Sequence, residues 1–184
     1  MSNKTGKPAT SVVLGPVRLS YIHIWEPNKE GKYAASLLIP KTNKELIKQV
    51  EAAIAAATEE GKLKKFAGKA TTGSSFKKPM RDGDEDRPGD AAYAGMMFVN
   101  ASSSSKQPGV VNKARQPITD KSDLYSGVWA YVDVNMYPFN FEGKIGIACG
   151  LNNIMKVKDD EALAGGQSAE TAFAAVEIDE DDFI

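Results

Sequence analysis

The stretch G-V-W-A-Y-V-D-V-N-M-Y (residues 127–137), the turn at Glu142-Gly143 and the run K-I-G-I-A-C-G-L (residues 144–151) decide the fold. Side chains alternate between the two faces of a strand. Val128, Ala130, Val132, Val134 and Met136 therefore make an aliphatic face suited to a core. Trp129, Tyr131, Asp133, Asn135 and Tyr137 make the opposite face. A dry second layer would leave the amide and carboxylate short of partners, so this face reads as a recognition platform. The returning strand puts Ile145, Ile147, Cys149 and Leu151 on one side and Gly146, Ala148 and Gly150 on the other. Small residues in a strand mark the close approach of a ligand or another backbone. The pair predicts a barrel wall or sheet, apolar inside, with a functional outer surface.

Upstream, V-V-L-G-P-V-R-L-S-Y-I-H-I-W from Val12 is also strand-like, with Val17, Leu19, Tyr21, His23 and Trp25 expected on one face. A turn at residues 27–31 leads into K-Y-A-A-S-L-L-I-P, which completes a hairpin. Thr42 and Glu45 have the spacing of a capping box. Leu46, Ile47, Val50, Ile54 and Ala57 form an apolar stripe at helical spacing behind it, and Gly61 is a candidate C-cap. Short strands follow at residues 94–101 and around Val110 and Val111. D-G-D-E-D-R-P-G-D (residues 82–90) reads as a turn punctuated by Gly83, Pro88 and Gly89.

Composition bounds the chemistry. The chain has 184 residues, a single Cys (Cys149) and a single His (His23), so it has neither an internal disulfide nor the ligands of a structural zinc site. No apolar run is long enough for a membrane span, and the opening residues lack a signal-peptide core, which points to the cytoplasm. No nucleotide-binding glycine motif or nucleophile elbow occurs. His23 within an apolar strand is a poor catalytic base for Cys149. The Asp82, Asp84, Asp86 alternation lacks the Gly and closing Glu of a calcium loop. No metal, cofactor or catalytic residue is assigned.

The formal net charge of −1 hides a division. Residues 1–158 hold all 23 basic side chains and 15 acids, a net of +8. Residues 159–184 hold nine acids and no Lys or Arg. Such a split suggests a body that binds a polyanion and an acidic appendage. The expected organisation is a disordered N-terminus (1–11), a binding domain (12–158) and an acidic segment and tail (159–184). Sequence-tolerant binding of single strands needs cations that follow the phosphates and aromatic faces on which bases stack. Trp129, Tyr131 and Tyr137 are the first candidates for stacking, then Trp25, Phe66 and Phe76. Lys62, Lys64, Lys65, Lys69, Lys77, Lys78 and Arg81 are candidates for phosphates, then Lys113, Arg115 and Lys144. Asp179, Glu180, Asp181, Asp182, Phe183 and Ile184 form a tail that would compete with DNA and engage a partner's pocket. The aromatic face would alternatively serve a homodimer.

Four segments, V-R-L-S-Y-I-H-I-W-E-P (17–27), R-D-G-D-E (81–85), L-Y-S-G-V-W-A-Y-V-D-V-N (124–135) and G-L-N-N-I-M-K-V-K-D-D-E-A-L-A-G-G (150–166), resemble in order those of bacteriophage single-stranded DNA-binding proteins. The resemblance implies a mainly β, OB-fold-like barrel with one amphipathic helix, elaborated basic loops and an acidic tail. It also implies single-stranded DNA as ligand and replication or recombination proteins as tail partners, without membrane association. Strand annealing, Mg²⁺-dependent nuclease action and a scaffolding role are the alternatives.

Overall fold

The computed structural model describes residues 6–163 together with 173, 176 and 177. Its strands are β1 (Ser11–His23), β2 (Tyr33–Pro40), β3 (Met80–Asp82), β4 (Met96–Ser103), β5 (Gly109–Val111), β6 (Trp129–Phe141) and β7 (Lys144–Lys158). The helix α1 (Lys44–Lys64) and the single turn α2 (Gly83–Asp86) lie between them.

The strands form one sheet in the order β3-β4-β2-β1-β6-β7-β5, and a parallel pairing of β4 with β7 at Ala101–Cys149 and Ser102–Gly150 closes it. Five strands, β1-β2-β4-β7-β6, thus make a ring, the architecture of an OB-type barrel. The ring encloses Leu14, Val17, Leu19, Leu37, Ile39 and Val99 together with the aliphatic faces of β6 and β7. Val128, Ala130, Val132, Val134 and Met136 all lie inside, as their alternation predicts. The helix sits between β2 and β4 in the chain and packs Leu46, Val50, Ala53 and Ala57 onto this core.

Local chemistry departs from the sequence expectation in three places. The helix is capped by Asn43 rather than Thr42: its side-chain oxygen accepts from the Leu46 N–H at 3.2 Å. The helix continues past Gly61, which is buried within it because a Cβ there would stand 2.3 Å from the Phe66 ring and 2.8 Å from Pro138. Glycine is tolerated here for close packing, not for capping. On β1, Val17 and Leu19 point inward, but Tyr21 and His23 do not. Tyr21 adopts a left-handed backbone (φ 45°) where the β1–β2 register shifts, and this turns the end of the strand over.

The acid-rich stretch is a scaffold. Asp82 caps α2 and, with Asp84, holds Lys41 at 2.8 and 2.7 Å, while Asp86 takes Arg81 at 2.6 Å. Over the outside of the sheet this loop lays a second cluster, Leu38, Tyr93 and Phe98, with the Tyr93 and Phe98 rings edge to face at 5.0 Å. Among the described residues no helix is long and apolar enough to cross a membrane.

Candidate nucleic-acid interface

Three adjoining depressions, which share Ser102, form a groove across the outside of the barrel where β4 meets β7. Its floor consists of short side chains, Ala34 and Ser36 from β2, Asn100 and Ser102 from β4, Ala148 and Gly150 from β7. Small residues on adjoining strands leave the backbone accessible to a bulky ligand. The bare face of β7 anticipated this at Ala148, whereas Gly150 borders the groove but accommodates the Asn135 side chain, whose Oδ1 would lie 2.6 Å from an added Cβ. Gly146 likewise accommodates Lys77, whose carbonyl would lie 2.5 Å from an added Cβ.

The walls supply charge. Lys29 and Lys32 come from the β1–β2 loop, Arg87 follows α2, Lys77 and Lys78 come from the segment leading into β3, and Arg81 lies on β3 itself. Glu30 is the lone carboxylate among the residues that line it. Arg81 is paired with Asp86 and Lys32 loosely with Glu30, which leaves an excess of cations whose field attracts and orients a polyanion. Lys77 stays beside the barrel through a pair of backbone hydrogen bonds, Lys77 N–H to Ile145 O and Ile147 N–H to Lys77 O.

Two exposed tyrosines stand along the groove. Tyr137, 41% exposed, projects from β6 beside Asn135 and the Ser102–Ser105 run. Tyr21, 51% exposed, lies at the other end, where its hydroxyl donates to Asp90 at 2.8 Å and the Arg87 guanidinium lies 5.4 Å from its ring centre. On the floor, the buried Ser36 hydroxyl has no hydrogen-bond partner among the described residues.

Only part of the expected set converges here. Phe66 and Phe76 are removed from the stacking set: they are 1% and 5% exposed and pack edge to face at 5.5 Å, so their rings belong to the core. Trp25 is half-buried away from the groove, and its indole N–H donates to the Lys121 carbonyl at 3.0 Å. Tyr131, 37% exposed, lies against Gly15 on the outer wall, next to the exposed Val13. Lys62 and Lys64 pair with Glu59 and Glu60 on the helix. Lys69 donates to the Gly143 carbonyl at 2.6 Å, with Lys144 one residue further on; together with Lys65 they ring the β6–β7 turn. Lys113 and Arg115 project from the β5 turn, and Lys113 lines a different depression with Lys156 and Lys158. Asp179–Ile184 lie outside the described residues.

Trp129 has another occupation. Its indole N–H donates to the Asp160 carboxylate at 2.8 Å. Residues 159–163 run back over the barrel as a strap. Asp159 takes Lys156 at 2.7 Å and the Tyr125 hydroxyl at 2.8 Å. Arg18 donates to the Glu161 carbonyl at 2.7 Å and stands 3.7 Å from Asp160. Hydrogen bonds to Lys156 and Tyr125 hold the Asp159 carboxyl below its ordinary value. The indole of Trp129, the Glu161 N–H and the nearby Arg18 and Lys158 do the same for Asp160. A depressed acid stabilises the docked form above the unfolded carboxylate pKa of about 3.9 and loses that contribution as pH falls through the lower native value. Trp129 emission, followed in a Trp25→Phe background, should stay flat from pH 8 to 5 and change below about pH 4. A transition between pH 5 and 7 would contradict this assignment.

A mainly β barrel with a cationic, aromatic-flanked groove and small residues on its floor defines a nucleic-acid-binding module of the OB type. The family model described as "Enterobacter phage Enc34, ssDNA-binding protein" matches residues 10–184, and the chain belongs to that family. It is 30% identical over 165 residues to putative protein p50 of Acyrthosiphon pisum secondary endosymbiont phage 1, covering 84% of this chain and 87% of that protein. The single-stranded DNA-binding protein of bacteriophage Enc34, solved in complex with ssDNA, superposes with a TM-score of 0.73 at 26% identity, covering 85% of this chain and 90% of that one. The single-stranded DNA-binding protein gp2.5 of bacteriophage T7 shares the fold, with a TM-score of 0.52 at 19% identity over 93% and 96% of the two chains.

Proposed function

We propose that the protein coats single-stranded DNA, without catalysis and largely without regard to sequence, during phage replication and recombination in the host cytoplasm. The observation that carries this is the groove: six cations along one face of a partly closed barrel, of which Arg81 is paired with Asp86 and Lys32 with Glu30, and an exposed tyrosine at each end. In OB folds the face of the second and third ring strands and the loop joining the first two bind oligonucleotides. Here these are β2, β4 and the Lys29–Lys32 loop. A short-chained floor admits unstacked bases, whereas a stiff duplex would meet the walls.

Six phosphates neutralised would give a slope of log affinity against log salt of about −4 on single strands. Stacking on an aromatic ring is worth about 1–3 kcal/mol per base. Tyr21→Ala and Tyr137→Ala should each weaken oligo-dT binding by about that amount, measured by fluorescence anisotropy with a labelled oligonucleotide. A loss from Tyr131→Ala with none from Tyr137→Ala would move the path to the β1–β6 wall.

The acidic tail is proposed to compete with DNA for the groove at low salt, and Phe183 and Ile184 to anchor in a replication partner. Deleting residues 177–184 should tighten oligonucleotide binding at low salt and abolish recovery of replication proteins from infected-cell extract. A tail that serves solubility alone would change neither.

A further inference from the structure

Two of the nine C-terminal carboxylates, those of Asp159 and Asp160, are already engaged by the barrel, and Glu161 joins them through its backbone carbonyl. Asp159, Asp160 and Glu161 belong to the docked strap, and six acids follow beyond residue 163. The strap lies flush: the Glu161 carbonyl would stand 2.3 Å from a Cβ on Gly127, whose φ of +125° also suits glycine. The Leu163 N–H donates to the Ser126 carbonyl at 2.8 Å, and the Leu163 side chain packs on the Leu38, Tyr93 and Phe98 cluster. Tyr93 in turn touches the groove's end, with its ring 6.2 Å from that of Tyr21 and 5.5 Å from the Arg87 guanidinium.

We infer that residues 159–163 are a fixed leash that delivers residues 164–184 to the Tyr21–Arg87 end of the groove. This rests on the tail competition proposed above and specifies where it starts. The remaining 21 residues span at most about 70 Å when extended, so length does not limit the tail's reach. What the leash sets is the origin of the tether. Effective concentration is highest near the point of attachment and falls as the tether lengthens. The six carboxylates, which begin seven residues beyond Leu163 at Glu170, are tethered from that end and meet the groove's cations within their own chain. DNA displaces the tail there last. The same six acids tethered from Lys158 would start at the end of β7, beside the depression that Lys113 and Asp120 line.

The test uses the full chain and its truncation after residue 163, each with and without Asp160→Ala/Leu163→Ala. Those substitutions remove the carboxylate held by Trp129 and the apolar pin, and truncated proteins of both backgrounds should bind oligo-dT within about twofold of each other, confirming an intact groove. At low salt the tail should weaken binding about tenfold in the wild type and about threefold or less in the variant, because a loosened root lowers the effective concentration. A nitroxide on Ser168→Cys reports position directly, because burial pushes the Cys149 thiol up to about 12 and leaves it unlabelled. Broadening of the Tyr21, Arg87 and Tyr93 amides in the wild type, and its loss in the variant, is the expected result. Equal broadening and an equal affinity ratio in both backgrounds would overturn the leash. Broadening at Tyr21 and Arg87 with no effect of the tail on affinity would uphold the leash and sink the competition.

Discussion

Replacing Lys32, Lys77 and Lys78 together with glutamine should weaken oligo-dT binding about a hundredfold at 0.1 M salt and make the salt slope shallower by about 2. Each phosphate contact on a single strand contributes about 0.7 to that slope, so three lost contacts remove about 2. The three residues are chosen because their ammonium groups do little for the fold. Lys77 and Lys78 make no ion pair with a described residue, and the pair between Lys32 and Glu30 is exposed and 3.9 Å long. Exposed pairs of that kind contribute about 0–1 kcal/mol. Arg81 is left in place because its Nε holds Asp86 and its guanidinium lies 5.4 Å from the Phe98 ring centre, so its loss would disturb the outer cluster. Thermal midpoints should therefore match the wild type. A matching triple variant at Lys113, Arg115 and Lys158 should change affinity far less, since those side chains stand outside the groove. The reverse ranking would relocate the DNA path to the β5 side of the barrel.

The second large effect concerns stability. Phe66→Ala and Phe76→Ala should each destabilise the protein by about 3–5 kcal/mol, the cost of truncating a buried Phe and leaving a cavity. Domains of this size are stable by only about 5–15 kcal/mol, so either change consumes a large share. Phe66 also fills the space that Gly61 leaves open on the helix, and Phe76 meets it edge to face. Urea melts should show a lower midpoint with an unchanged slope, and oligo-dT affinity well below the melting temperature should be preserved. Loss of DNA binding with stability intact would restore both rings to the stacking role that the surrounding lysines suggest.

These two experiments separate what the sequence displays from what folding decides. The β6 and β7 faces were legible because period-2 alternation runs over five apolar positions on the first and four on the second, and a single wrong-facing residue would have broken the pattern. Ala148 and Gly150 were readable for the same reason, as was Tyr137. Phe66 and Phe76 were not, because an aromatic flanked by lysines and glycines looks the same whether it folds under the helix or faces solvent. The clue was Gly61, which falls four residues after Ala57 on the helix's buried stripe and so signals a large neighbour rather than an end. Tyr21 defied alternation through a left-handed backbone that a non-glycine sequence does not announce. Lys29, Lys32 and Arg87 joined the groove through loops, where spacing carries no facing information.

The strap was hidden by its own composition. Asp159-Asp160-Glu161 looked like the head of a solvated acidic tail, yet its partners Arg18, Tyr125 and Trp129 lie 31 to 143 residues away along the chain. Pairings that distant have no local signature. The charge boundary at Lys158 is arithmetic, while contacts with the barrel continue through Leu163. Six of the nine acids follow Leu163 in the sequence.

The central claim, that single-stranded DNA lies across β2, β4 and β7 on the outside of the barrel, is tested most directly by amide chemical-shift mapping of the full-length protein titrated with oligo-dT. Shifts concentrated on Ala34, Ser36, Asn100, Ser102, Ala148 and Gly150, with Thr119, Asp120 and the exposed face of α1 unmoved, are the predicted result. Shifts concentrated around Asn112, Thr119 and Lys158, with the groove floor silent, would contradict it.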